Sequence, residues 1–223
     1  VLTYAEIPYD VVYDAEVMEG KLVEYDWLHL HHEDFTGQYG KFYRVYRNAA
    51  WYQEEQAKQE ASAASLGFAK VSEMKRAVAL EMRNFVLGGG FLFTMCSGTD
   101  SFDIALAAQE TDICEPMFDG DPADPLAQQK LDFEQGFAFW NYRLVRDPLV
   151  YEFSDIDATK EHGKAKEIKD FFTLFDFSAK WDVIPTMLTQ SHERVIHGFM
   201  GQTTAFRKEF VRPDATILGE SRG

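Results

Sequence analysis

The chain is predicted to be an α/β protein, a doubly wound and mainly parallel sheet with helices on its faces. Three observations predict it. Short apolar runs alternate with segments of helical periodicity, as strand–helix–strand units do. The run after Gly88-Gly89-Gly90 delivers Cys96 to a Ser97-Gly98 turn, and a helix-like pattern over 101–109 follows. Two polar clusters, His29/His31/His32/Glu33/Asp34 and Cys96/Ser97/Asp100, fall at the ends of predicted strands, where ligand sites lie in such sheets.

Taken in order, residues 1–7 read as the tail of a helix and 10–17 as a short strand. Residues 25–31 (YDWLHLH) form a second strand, bounded by charge on both sides. A polar segment with Gly37 and Gly40 follows, read as a tight turn that bends over the strand ends. Residues 44–64 are rich in Ala, Gln and Glu and predict a helix. A second helix is predicted over 72–87, where Met74, Val78, Met82 and Phe85 recur at three- and four-residue spacing. Ser72 is its expected N-cap and Gly88 its stop. The strand 91–95 and the turn at Cys96 come next. Residues 112–126 read as an acidic, proline-bearing loop, and 149–153 as a short strand. Residues 159–169 read as an exposed linker or helix, and 194–200 and 215–218 are the last apolar runs. Residues 25–31, 90–95 and 194–200 are expected in one mainly parallel sheet.

Of the 223 residues, 46% are hydrophobic, enough for a sizeable core and for one domain spanning the chain. Nineteen Phe, ten Tyr and four Trp make that core aromatic-rich; the tryptophans are assigned no chemistry. The formal charge of −15 offers nothing to neutralise phosphates, so nucleic acid is excluded as a partner. No apolar run approaches the roughly 18 residues of a membrane span. The two cysteines, Cys96 and Cys114, leave the redox compartment open.

A cysteine at a strand-to-helix turn is exposed as a nucleophile is, and N–H groups at the helix start favour its thiolate. Asp100 and Asp103 add negative charge at the same helix start and oppose that effect, so a modestly reactive thiol is expected. The alternative is a small buried cysteine closing a core strand. His29 and His31 share a strand face, and Glu33 would continue it, a His-x-His-x-Glu arrangement compatible with zinc. A polar binding or structural network is the competing reading, with His32 and Asp34 as further members.

Three stretches together resemble the class I glutamine-amidotransferase-like superfamily: residues 25–41 (YDWLHLHHEDFTGQYGK), 88–103, and 212–220 (RPDATILGE). More narrowly, the chain is similar to a group common in Bacteroidetes that often carries the label asparagine synthetase B, related to trehalose-utilisation-type domains. The resemblance implies a flavodoxin-like doubly wound sheet in one domain that lacks terminal elements of the full fold. It places Cys96 where those proteins carry the nucleophile of a Gly-x-Cys-x-Gly elbow; Gly98 is kept and Thr94 replaces the first glycine. The family's His-x-Glu pair would be supplied from among His162, His192 and His197, although His192-Glu193 is adjacent rather than spaced by one.

Two functions follow. In the first, Cys96 is the nucleophile of an amide or ester hydrolase or transferase, with His31 or His192 as base, Glu33 in support, and backbone N–H groups near Ser97–Gly98 receiving the oxyanion. His32, Asp34, Ser97, Gly98 and Asp100 would line the ligand site. In the second, the fold is kept as a non-catalytic binding module within a larger assembly. An exported or periplasmic setting is expected.

Overall fold

The computed structural model describes residues 3, 6–157, 171–174, 195–197 and 206–221. Its centre is a pair of parallel strands, β1 (Trp27–Leu30) and β2 (Phe91–Thr94), in the register Trp27↔Phe91 to Leu30↔Thr94. Alternation along each strand turns Leu28, Leu30 and Leu92 towards the core. It turns Trp27, His29, Phe91 and Phe93 outward, as two edge-on ring pairs with centroids 5.5 and 5.1 Å apart.

Helices are the other main elements. α1 (Asp14–Met18) precedes β1 and packs on α4 (Val71–Leu87). Between β1 and α4 lie α2 (Tyr43–Tyr46) and α3 (Ala50–Ser65). α4 buries Val71, Met74, Val78, Ala79 and Met82, a three- and four-residue repeat that makes one apolar stripe. Lys75 on that stripe is compensated by Asp14 of α1 at 2.7 Å. Gly88 ends the helix, but its N-cap is Lys70 rather than Ser72. α5 (Ser97–Ala107) follows β2 directly and is almost wholly buried. Phe102, Ile104 and Leu106 each contribute about 1.5–3 kcal/mol there. α6 (Pro116–Asp119) is a single turn inside the stretch expected to be loop, and α7 (Ala127–Lys130) is another just after it.

Several expectations are corrected. Residues 10–17 are not a strand: the chain is irregular to Tyr13, where Glu16 accepts the Tyr13 N–H at 3.0 Å and starts α1. Residues 149–153 turn instead of extending, and the nearest ladder contact is a bridge between Leu144 and Ser154. The strand expected over 194–200, β4 (Val195–His197), does not join β1 and β2. It pairs antiparallel with β3 (Phe171–Leu174), which also pairs antiparallel with β5 (Gly219–Ser221). The readings for 159–169 and most of 1–7 lie outside the described residues.

Candidate functional site

Cys96 occupies the junction of β2 and α5, as the N-cap of the helix, with φ 53° and ψ −138°. A β-carbon is costly in that region, which glycine reaches freely. The strain comes from the sharp turn itself. Met95 N–H still bonds Leu30 C=O at the end of the parallel ladder, and Gly98 N–H already bonds Met95 C=O at 3.2 Å. The chain thus passes from strand to helix through Cys96 alone. Gly98 and Thr99 spend their N–H groups on these turn bonds, whereas Ser97 N–H makes no hydrogen bond among the described residues.

The register of β1 and β2 brings the loop after Leu30 to the same edge as Cys96. β1 stops before His31, so the alternation that would have aligned His29, His31 and Glu33 on one face does not continue. Glu33 turns back instead: its Oε2 accepts the His31 N–H at 2.5 Å and stands 3.4 Å from where a Cβ on Gly98 would lie. A carboxylate therefore rests on the first turn of α5, beside Cys96. His31 and His32 are exposed, with ring centroids 3.8 Å apart, and His29 packs edge-on against Phe93. His29, His31 and Glu33 do not converge as metal ligands. Among the described residues no side chain hydrogen-bonds the Cys96 sulfur. His192 and His162 lie outside those residues, and His197 is placed only as part of β4.

Asp34 is the hub of the next loop. Its carboxylate accepts the N–H groups of Thr36 (2.7 Å), Gln38 (3.0 Å) and Gly40 (2.8 Å) and the Thr36 hydroxyl (2.6 Å). Those four donors occupy it, so Asp34 shapes the site without facing a ligand. Gly37, at φ 80°, lies so close to α4 that a Cβ would meet Ser72 Cα at 2.6 Å. Ser101 ties the same loop to α5, donating to Glu33 C=O at 3.1 Å and accepting Phe35 N–H at 3.4 Å.

Asp100, expected to line the ligand site, is buried: it is 2% exposed, and its Oδ1 has no partner. Burial, and next the charge of Asp157, push its carboxyl up to about 8, so it is mostly neutral at pH 7. Asp103 turns away from the elbow to accept three backbone N–H groups, from Phe137, Ala138 and Phe139, at 2.7–2.9 Å. The opposition expected from these two acids at the start of α5 is correspondingly weaker.

Residues that sequence reasoning passed over complete the edge. Lys41 is fully buried and donates to the carbonyls of Val145 (2.6 Å) and Asp147 (3.1 Å); burial lowers its ammonium to about 8. It thereby fastens the 145–151 segment to the loop after β1. Tyr151 packs on Phe42, with ring centroids 5.8 Å apart. Burial raises its phenol, and charge at Cys96, then Asp157, adds to the effect. No local pattern in the sequence links residue 151 to residue 96. Asp34-x-Thr36 is an Asx-turn signature that did carry a signal for the hub.

Two other features lie apart from the elbow. Asp112, Cys114 and Asp119 bring candidate ligand atoms within 4.8 Å of one another. Lys70 already supplies the cation there, at 2.7 Å from Asp112 and 3.4 Å from Asp119, and it also bonds Asp121. Cys114 donates to Thr36 C=O at 3.1 Å, and burial pushes its thiol up, so it stays protonated. A cleft of about 440 Å³, lined in part by Leu22, Tyr25, Glu81, Phe85 and Gly90, opens at the other end of β1 and β2.

Compared with known proteins, the chain matches no family model, and no curated protein or solved structure is significantly similar to it. What is established is a mixed helix–strand protein with a small parallel sheet and a strained cysteine at a strand–helix elbow. Among the described residues no helix is long and apolar enough to cross a membrane.

Proposed function

We propose that the chain is a glutamine-amidotransferase-like domain with a doubly wound, flavodoxin-like sheet, acting on an amide or ester through the Cys96 thiol. The observation that carries this reading is the backbone of Cys96: a non-glycine residue held at φ 53° and ψ −138° between a parallel strand and a buried helix. Such strain persists where the side chain has work that glycine cannot do.

In the proposed reaction the Cys96 thiolate attacks the carbonyl carbon, forming a C–S bond while the carbonyl π pair moves onto oxygen. The unbonded Ser97 N–H is the donor available to that oxyanion. The base takes the Cys96 thiol proton and returns it to the amine or alcohol that collapse expels; water or an acceptor nucleophile then attacks the thioester carbonyl, the C–S bond breaks, and the acyl product leaves as the thiol is restored. His31 and His192 remain the candidate bases. Glu33 and the neutral Asp100 belong to the surroundings of the elbow, and the near-neutral Asp100 leaves the start of α5 more hospitable to a thiolate.

The second reading, a non-catalytic binding module, is favoured by the absence, among the described residues, of any side chain bonded to the Cys96 sulfur. Alkylation of the folded protein by iodoacetamide, followed by mass spectrometry at each cysteine across pH 5–10, separates the two. The catalytic reading expects Cys96 to react faster than free glutathione at pH 6–7 and Cys114 to react only on unfolding. A Cys96 that reacts no faster than glutathione, or not at all, leaves the binding module.

A further inference from the structure

At the start of α4 lies a polar cluster that the elbow does not use. Asp112, Cys114 and Asp119 hold two carboxylate oxygens and a sulfur within 4.8 Å of one another. Asp121 stands at the mouth, its side chain 57% exposed. Lys70, the N-cap of α4, is the one cation paired with these acids among the described residues. A single ammonium thus serves Asp112, Asp119 and Asp121.

Asp119 separates this cluster from a solvated ion-pair network. Its side chain is 2% exposed, yet Oδ1 has no hydrogen-bond partner. Oδ2 has only two contacts, the Lys70 ammonium and the Ser72 hydroxyl, each at 3.4 Å. A carboxylate taken so far out of water is costly unless its oxygens find strong partners. Lys70 is drawn instead to Asp112, at 2.7 Å, and to Asp121. Asp112 is already oriented for a second partner: its Oδ1 accepts the Cys114 N–H at 2.9 Å, which leaves Oδ2 turned to the cluster, as the outer bonds of metal ligands do. The Cys114 sulfur, wholly buried, donates only to Thr36 C=O, at 3.1 Å.

We propose that Asp112, Cys114 and Asp119 form a site for a thiophilic divalent cation of the zinc type, which displaces the Lys70 ammonium. The orphaned oxygen of Asp119 then gains the strong partner it lacks. A tetrahedral ion with bonds of about 2.0–2.3 Å sets its donors about 3.3–3.5 Å apart, so the cluster closes by about 1 Å around it. Water takes the fourth position, on the side of Asp121. The sulfur selects zinc or cobalt over calcium and magnesium, which take oxygen donors. As the metal–sulfur bond forms, the thiol proton leaves to solvent. Lys70 swings outward and keeps Asp121. No electron is transferred, and the site is independent of the chemistry at Cys96.

The test is titration of the whole, untagged chain with cobalt and with zinc after dialysis against EDTA. Cobalt should give near-ultraviolet thiolate-to-metal charge transfer together with the visible bands of a tetrahedral ion, and zinc should abolish both. Calorimetry of zinc binding in two buffers of different ionisation enthalpy should show about one proton released per ion. Cys114→Ser should remove the charge-transfer band and Cys96→Ser should keep it. Asp119→Asn should weaken zinc binding roughly tenfold or more. Lys70→Ala should strengthen it roughly tenfold, because the charge that competes for the buried acids is gone. If Cys114→Ser does not fold, the unaltered chain decides: zinc should slow alkylation of Cys114, and not of Cys96, in sub-denaturing urea. A missing charge-transfer band, a band lost with Cys96→Ser, or equal protection of the two thiols would overturn the site. So would calcium or magnesium binding as tightly as zinc, or zinc binding that Lys70→Ala leaves unchanged.

Discussion

Replacing Cys96 by glycine and, separately, by alanine measures the strain at the elbow. At φ 53° and ψ −138° a residue with a β-carbon carries about 1–3 kcal/mol of backbone strain. Alanine keeps that β-carbon and the strain. Glycine removes both, but it adds about 0.4–1 kcal/mol of conformational freedom to the unfolded chain. Loss of one half-buried methyl subtracts a few tenths more, well below the ~0.8 kcal/mol of a fully buried group. The balance is roughly 0.5–2 kcal/mol in favour of glycine. For a chain of this length about 2–4 °C of Tm accompany each kcal/mol, so Cys96→Gly should melt roughly 1–8 °C above Cys96→Ala. Urea midpoints with unchanged m-values should agree. Glycine equal to or below alanine would mean that the turn is unstrained, and the argument from strain to a nucleophile would fall with it.

Other consequences can be measured alongside. Asp100 has its carboxyl raised to about 8, well above its unfolded value, so the unfolded state loses this proton first. Stability should therefore fall as pH rises from about 4 to about 8, with the full cost present above that; Asp100→Asn should flatten the Tm–pH curve, and parallel curves would refute the assignment. Lys41 has the opposite sense, its ammonium lowered to about 8 from 10.5. Its burial cost is complete below pH 8 and is relieved between 8 and 10.5. Lys41→Met should lose that alkaline gain, yet be less stable at pH 7 by about 1–3 kcal/mol, because two carbonyls lose their donor. Denaturant titrations at pH 7 and 9.5 decide it. Lys70→Ala should destabilise the protein by stranding Asp112 and Asp119, and zinc should restore part of the loss if Lys70 holds a cation's place. Zinc-independent melting curves would exclude that role.

How far the elbow could be read from residues alone depends on the range of the interactions. β2 and α4 are local patterns: apolar alternation or a three- and four-residue repeat identifies each, and the structure keeps them within a residue or two. The glycine stop at Gly88 and the turn at Cys96 are local as well. β4 illustrates the limit. Three apolar residues predict a strand but carry nothing about its partner, and here the partners are β3 and β5, antiparallel, instead of β1 and β2. Asp100 and Lys41 show the same limit in the polar groups. A charged residue next to a turn reads as solvated, and only the packing of α5 and of the 145–151 segment takes these two out of water.

The sequence by itself determined the strand that follows a glycine cluster, the strand before it, the long amphipathic helix between the two, the acidic net charge, and a cysteine at a strand–helix junction. These depend on the two- and 3.6-residue periods of the backbone and on net charge, which need no knowledge of distant neighbours. Tertiary structure alone decided that Cys96 is strained and that Glu33 folds back onto α5. It also decided that Asp100 is buried without a full set of partners and that Tyr151 meets Phe42. Each of these depends on contacts between segments far apart in the chain, whose loop-closure cost is repaid only by the assembled core and is invisible in any local window.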